Sequence, residues 1–418
     1  MAPSSVAPPL PAAPYEVSED SVDAPDPSNG FAKVSGFTEL RWNTRLNSDP
    51  FQKRETISEF RAHLEVEGAT IPFRFAADLL FDDIDEDSEG EGVFDVREAS
   101  LLLRPADNID VRLGRQILTW GTGDLMFIND VFPKDYVSFF AGRSDNYLKA
   151  PADAARVGIF TDLVNVDFVL MSAQSVDRSI DGERLSFTEP SNGLARGRNN
   201  VFESDAPSGV EYALRAYRTF GSYEVAGYAY YGHWKSPGGV NAATGRGVYP
   251  ELSVYGASVR GPLAGGIASA EFGIYDSRED HNGTNPLINN GEKRILLGFE
   301  REIASETTLG IQYYLARMDN HAAYVASAPA GSVIQDENRD LVSVRLTKFA
   351  LRQTLTASAI AFYSPTQKDS YLRMDVSYRP TDSLTLNANL GHFIGDAHTP
   401  FGQFETGSNF GIGVRYSF

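Results

Sequence analysis

From residue 31 to its end, the chain alternates apolar and polar residues one by one in short runs, and polar stretches separate the runs. The closing residues show this most cleanly. Phe410, Ile412, Val414, Tyr416 and Phe418 fall on one side, and Asn409, Gly411, Gly413, Arg415 and Ser417 on the other. Successive side chains of a pleated strand point to opposite faces, so a period of two predicts a half-buried strand. The split recurs in Leu372, Met374, Val376 and Tyr378 against Arg373, Asp375, Ser377 and Arg379. It recurs again in Phe60, Ala62, Leu64 and Val66 against Arg61, His63, Glu65 and Glu67.

Eighteen such strands are predicted, near 32–46, 54–67, 70–82, 93–104, 108–120, 152–161, 164–174, 209–220, 222–234, 250–261, 265–276, 291–302, 305–317, 338–349, 353–363, 369–379, 383–394 and 407–418. The segments at 222–234, 250–261 and 265–276 alternate weakly, which leaves sixteen as the alternative count. Connections of a few residues (GAT, PADN, DLV, GS, GPLAG, EIAS, ALR, RPTDS) take turns with long ones rich in Asp, Asn, Gly, Ser and Pro. Short periplasmic turns alternating with long outer loops belong to a transmembrane, antiparallel, up-and-down β-barrel. Soluble sandwiches do not sort their loops this way.

Composition fits that all-β reading. No apolar run is long enough for a transmembrane helix, which needs about 18 residues, and a barrel averages to a polar composition because only alternate residues face lipid. With 26 Phe, 19 Tyr and 3 Trp there are aromatics enough for two interfacial girdles. Cysteine is absent, and a net charge of −19 disfavours nucleic acid as a partner. The beginning, MAPSSVAPP, carries no export signal, so a removed signal peptide and an added Met1 are expected. Residues 1–30 read as a Pro/Ala-rich acidic tail in the periplasm, with residues 2–30 open to a periplasmic partner, and 31–418 as the barrel. Tyr416 and Phe418, on the final strand, form the aromatic ending that the barrel-assembly machinery reads. Lipid and lipopolysaccharide are the other expected partners.

The stretch VRLGRQILTWGTGDLMFINDVFPKDY, residues 111–136, resembles a group of proteobacterial outer-membrane barrels that carry LGRQ…WG before an Asn/Asp- and Pro-containing loop. That group is porin-like and distantly similar to 18-stranded alginate-export barrels. The resemblance covers Leu113 to Asp135 and implies an outer-membrane channel without naming its cargo.

The long connection at 121–151 carries too many apolar groups for a solvated loop, since each would stay in water at a cost of about 1.5–3 kcal/mol. It is expected to fold into the lumen as a third-loop constriction, with Phe127, Asp130, Phe132, Lys134, Asp135, Phe139 and Arg143 as its candidate residues. The plainer reading is an outer cap. The connection at 175–208 could add a second constriction or a lid. Arg41, Arg61, Arg74, Arg112, Arg156, Arg215, Arg294, Arg345, Arg373, Arg379 and Arg415 are expected to face inward, in a chain with 29 Arg and 8 Lys. A file of arginines favours anions. The competing reading pairs them with inward carboxylates (Glu39, Glu65, Asp78, Asp110, Asp167, Glu211, Glu300, Asp375) as braces. Arg115 falls on the wrong face, which implies a bulge at Gly114 or a register error.

Asp83, Asp85 and Asp87 have the early spacing of a calcium loop, but Ser88 and Phe94 stand where its glycine and bidentate glutamate belong. A metal is therefore not expected, loose bridging to lipopolysaccharide aside, and no cofactor is called for. None of the six histidines lies in a catalytic motif. The expectation is a channel for small hydrophilic, anion-leaning solutes, not an enzyme. The alternative is the barrel of an export or conduit assembly, for an acidic polymer or as a sheath around a partner protein.

Overall fold

A computed structural model describes residues 32–68, 71–84, 92–188, 193–329, 332 and 334–418. The acidic tail expected at 1–30, with Asp85 and Asp87, lies outside the described residues.

Eighteen strands form one sheet. They are β1 (Ala32–Arg45), β2 (Glu55–Gly68), β3 (Phe73–Asp82), β4 (Val93–Ala106), β5 (Ile109–Ile117), β6 (Pro151–Ile159), β7 (Asn165–Ser172), β8 (Val210–Phe220) and β9 (Tyr223–His233). The second half comprises β10 (Glu251–Leu263), β11 (Gly266–Ser277), β12 (Glu292–Ala304), β13 (Thr307–Met318), β14 (Asn338–Ala350), β15 (Leu355–Ser364), β16 (Asp369–Tyr378), β17 (Leu384–Ile394) and β18 (Asn409–Ser417). Each pairs antiparallel with its neighbour in sequence, and β1 pairs with β18 from Phe37↔Ser417 to Arg45↔Asn409. The terminal Phe418 adds reciprocal backbone bonds with Gly36 at 3.0 and 3.1 Å. Closure removes the open edge that lipid would not tolerate.

Outward positions carry the apolar set: Leu40, Leu64, Leu297, Ile412 and Val414 are all exposed. Tyr223, Tyr378, Tyr416 and Phe418 ring the end with short turns, and Trp42, Tyr231 and Tyr363 ring the other. A belt of this kind is stable only against hydrocarbon.

Three local features depart from plain alternation. Strand β5 stops at Ile117, not at 120, because Leu118 and Trp120 turn into the barrel and are buried there. Arg379, expected inward, lies beyond the end of β16 in a short turn, where it donates to Gln353 O at 3.3 Å. Arg115 does face outward, in an unbroken ladder (Ala99↔Arg115↔Asp153), and forks onto Asp153 at 2.8 Å. Neither a bulge nor a register slip is needed at that point. Gly114 sits in the ladder at φ +115, and a Cβ there would strike Ala99 O, so a glycine is required. The true bulge is in β4, where Ala76 pairs with Glu98 but Ala77 pairs with Val96, leaving Arg97 as the extra residue.

Candidate functional site: a loop folded into the barrel

Residues 118–150 cross the lumen and touch the wall on both sides. The LGRQ…WG stretch makes the turn inward. Gln116, 1% exposed, ties neighbouring carbonyls at Gly114 (3.2 Å) and Ala154 (3.1 Å), and Gly121 takes φ +86 beside the Glu271 carboxylate.

The first limb, Leu118 to Lys134, lies on β9–β13. Trp120 meets Phe132 edge to face at 4.8 Å and tilts over Tyr228 at 6.1 Å. Ile128 is fully buried, and Gly273 makes room for it, since a Cβ there would come within 2.6 Å of its side chain. One buried acid holds this limb: Glu271 accepts from Thr122 Oγ1 (2.9 Å) and Asn129 Nδ2 (2.8 Å). Asp130 and Lys134 pair within the limb at 2.9 Å, with the ammonium 4.6 Å from the centre of the Phe127 ring.

The second limb, Asp135 to Ala150, contains a short helix, α1 (Tyr136–Ala141), capped by Asp135 through Ser138 N at 2.7 Å. A helix end leaves carbonyls unsatisfied and partly negative. Here the wall answers them. Arg41 donates to Gly142 O (2.8 Å), Arg373 to Phe139 O (2.7 Å) and Arg143 O (2.6 Å), Asn43 to Ala141 O (3.2 Å) and Asn409 to Phe140 O (3.3 Å). Phe139 packs edge-on to Tyr371. Arg143 is buried against Glu59 (2.8 Å) and Asp82 (3.1 Å), and Asp82 also binds Arg184 from the connection at 173–209. Tyr147 is sandwiched by two guanidinium groups, Arg61 at 4.1 Å and Arg97 at 4.7 Å.

Ten of the eleven arginines read from the sequence lie on barrel strands, and most are ion-paired. Arg61 binds Asp78 (2.5 Å), Arg74 binds Glu65 (2.6 Å), Arg156 binds Asp167 (3.1 Å), Arg215 binds Glu224 (2.8 Å), Arg294 binds Glu292 (2.8 Å) and Arg415 binds Glu39 (3.3 Å). Arg112 lies across from Leu102 in the β4–β5 ladder. Arg345 differs. Its partners, Asp124 (2.8 Å) and Asp145 (3.5 Å), belong to the inward loop and are 44% and 38% exposed. Its Nε and Nη2 make no aligned hydrogen bond in the described structure. Asp145 also reaches Arg373 at 3.0 Å.

Asp124, Asp145, Glu271, Arg97 and Arg184 were not among the residues picked from sequence. Arg97 is hidden by the bulge that breaks its alternation, and the others sit in long connections or gain meaning only from partners far along the chain. Asp83 is exposed and accepts from Ser58 Oγ at 3.4 Å, and no cluster of three possible metal ligands occurs among the described residues.

No protein-family model and no curated protein matches this chain. Solved structures do. OccK3 (OpdO) of Pseudomonas aeruginosa superposes with a TM-score of 0.55 at 11% identity, covering 93% of this chain and 95% of that one. OccD3 (OpdP) of the same organism gives 0.54 at 12%, covering 93% and 91%. OccAB1 of Acinetobacter baumannii gives 0.53 at 11%, covering 93% and 98%. At such identities the likeness is one of fold.

Proposed function

We propose that this barrel is a passive channel of the Gram-negative outer membrane for small hydrophilic solutes, with a modest preference for anions. The fold shared with the OccK3, OccD3 and OccAB1 structures and the LGRQ…WG resemblance support an outer-membrane porin. We assign it no catalytic role. Of the three histidine–carboxylate pairs among the described residues, His63–Asp78 (2.7 Å) and His233–Glu211 (3.2 Å) share their acid with a cation, Arg61 or Lys235, and read as wall braces, and His281–Asp276 (2.7 Å) is exposed at an outer connection.

One observation carries the anion preference, and it is narrower than a file of arginines. Most inward arginines hold carboxylates or loop carbonyls and cannot also hold a passing solute. Arg345 is held by two half-exposed acids of the inward loop, Asp124 and Asp145, and not by a buried carboxylate of the wall. A solute carboxylate or phosphate can exchange with Asp124 there, because a guanidinium fork accepts either. Arg345→Gln should move the reversal potential in a potassium chloride gradient toward cations. The shift should shrink with salt, since at 0.1 M the charge acts only across about 10 Å. An unchanged reversal potential at low salt would remove the anion preference and leave the channel.

A further inference from the structure

The geometry points to a binding site in the outer mouth for an uncharged aromatic solute that carries a hydroxyl or N–H donor. This deepens the channel reading and rests on it, because the site lies in the extracellular approach to the constriction.

A cleft of about 460 Å³ opens between α1 and the connections at 173–209, 234–250, 278–291, 319–337 and 395–408. That volume suits a small molecule, for which pockets run from about 300 to 1,000 Å³. No Asp, Glu, Lys, Arg or His is among its described lining residues, although charged residues make up 22% of the chain. The lumen a few residues away is dense with ion pairs, so the neutrality of the mouth is local. Aromatic rings come from four connections: Tyr136 and Phe140, Phe187 and Phe202, Tyr324, and Phe404, with Pro237 and Pro286 flanking them. Flat apolar faces on several sides suit a planar ring, which gains offset or edge-on contacts as well as burial.

Polar chemistry in the cleft is sparse and specific. Asn290, 4% exposed, spends its Nδ2 on Asp319 O at 2.8 Å, which leaves its Oδ1 buried in the cleft wall with no partner among the described residues. Ser179 Oγ, also lining the cleft, likewise has no partner. A buried acceptor left unmatched is costly, and a ligand that brings a donor relieves it. Phenol carries such a donor and is neutral at neutral pH. A carboxylate would lose its hydration with no cation in the lining to replace it. A sugar would bring more hydroxyl groups than these few polar atoms can satisfy.

Two measurements on the full chain test the site. Labelled phenol, benzoate and glucose are each dialysed to equilibrium against the detergent-solubilised barrel, and each is then added to the outer side of single channels in a planar bilayer. Phenol should bind saturably and interrupt the current, with benzoate weaker by about tenfold or more, the usual scale for an unpaired, desolvated charge. Ser179→Asp, which places a carboxylate in the neutral lining, and Phe202→Ala, which removes one ring, should each weaken phenol binding. Benzoate or glucose binding as well as phenol would overturn the proposal, as would phenol binding untouched by both variants. Conductance without phenol binding refutes the cleft and keeps the channel. Phenol binding to a folded barrel that never conducts refutes the channel reading.

Discussion

The two limbs of the inward loop are held by opposite chemistry. The first lies on a wall whose inward positions include Tyr228, Tyr230, Leu252, Val254, Tyr275 and Leu296, all buried, and apart from Glu271 and the Arg345–Asp124 pair its contacts are largely apolar area. The second lies on the wall of β1–β3 and β16–β18, where arginines and asparagines donate to its backbone carbonyls and two acids hold Arg143. Apolar contact is non-directional and forgives small shifts. Hydrogen-bonded charge fixes a position and is costly when half undone. The same connection is therefore cushioned on one side and bolted on the other. The contrast also gives the wall arginines a role distinct from lining a path: Arg41 and Arg373 terminate a helix.

The comparison can be broken in order of size. Removing residues 125–140 takes parts of both limbs, and single-channel conductance should rise several-fold; an unchanged conductance would mean the loop does not obstruct the path. Arg143→Ala attacks the bolted side by taking one cation from each of two buried acids, Glu59 and Asp82. A loss of about 3–5 kcal/mol is expected, read as a lower temperature for the heat-induced mobility shift on gels. Lysine at 143 should restore it only in part, because a point-like ammonium does not reproduce the planar fork with which the guanidinium reaches Glu59, Ser138 and Asp82 from three nitrogens. On the cushioned side Ile128→Val should cost only about 0.5–1.5 kcal/mol, and its effect should not depend on salt.

The smallest effect concerns alkaline pH. Burial, chiefly, pushes the Tyr147 phenol up to about 12. Its protonated form is thus favoured in the folded loop, and the associated stability is complete below the unfolded value of about 10. That stability is lost as pH rises toward the folded value. Tyr147→Phe should flatten the wild-type decline in melting temperature across that window. An identical decline in both proteins would show that the Tyr147 phenol is not buried in the folded loop.

Much of the barrel was legible in sequence because lipid imposes a rule on every second residue. The terminal strand from Asn409 to Ser417 and the register of Arg61, Arg345, Arg373 and Arg415 follow from period two alone. The strands at Tyr223–His233, Glu251–Leu263 and Gly266–Ser277 alternate weakly for a reason visible only in the fold. Many of their inward positions are apolar too, such as Tyr228, Tyr230, Leu252, Val254 and Tyr275, since the loop's first limb covers them in place of water.

Sequence by itself determined the closed antiparallel sheet of about eighteen strands, the face that most strand side chains take and which connections are long. Those are local consequences of a pleated backbone between hydrocarbon and a lumen. Tertiary structure alone decided what each inward charge does. Period two assigns a face but no partner. Arg373 meets carbonyls more than two hundred residues away and Arg41 one about a hundred away. A single extra residue in β4 turns Arg97 onto Tyr147 against the pattern. Only closing the sheet brings those groups within reach, because ion pairs and hydrogen bonds depend on distances that the order of residues does not contain.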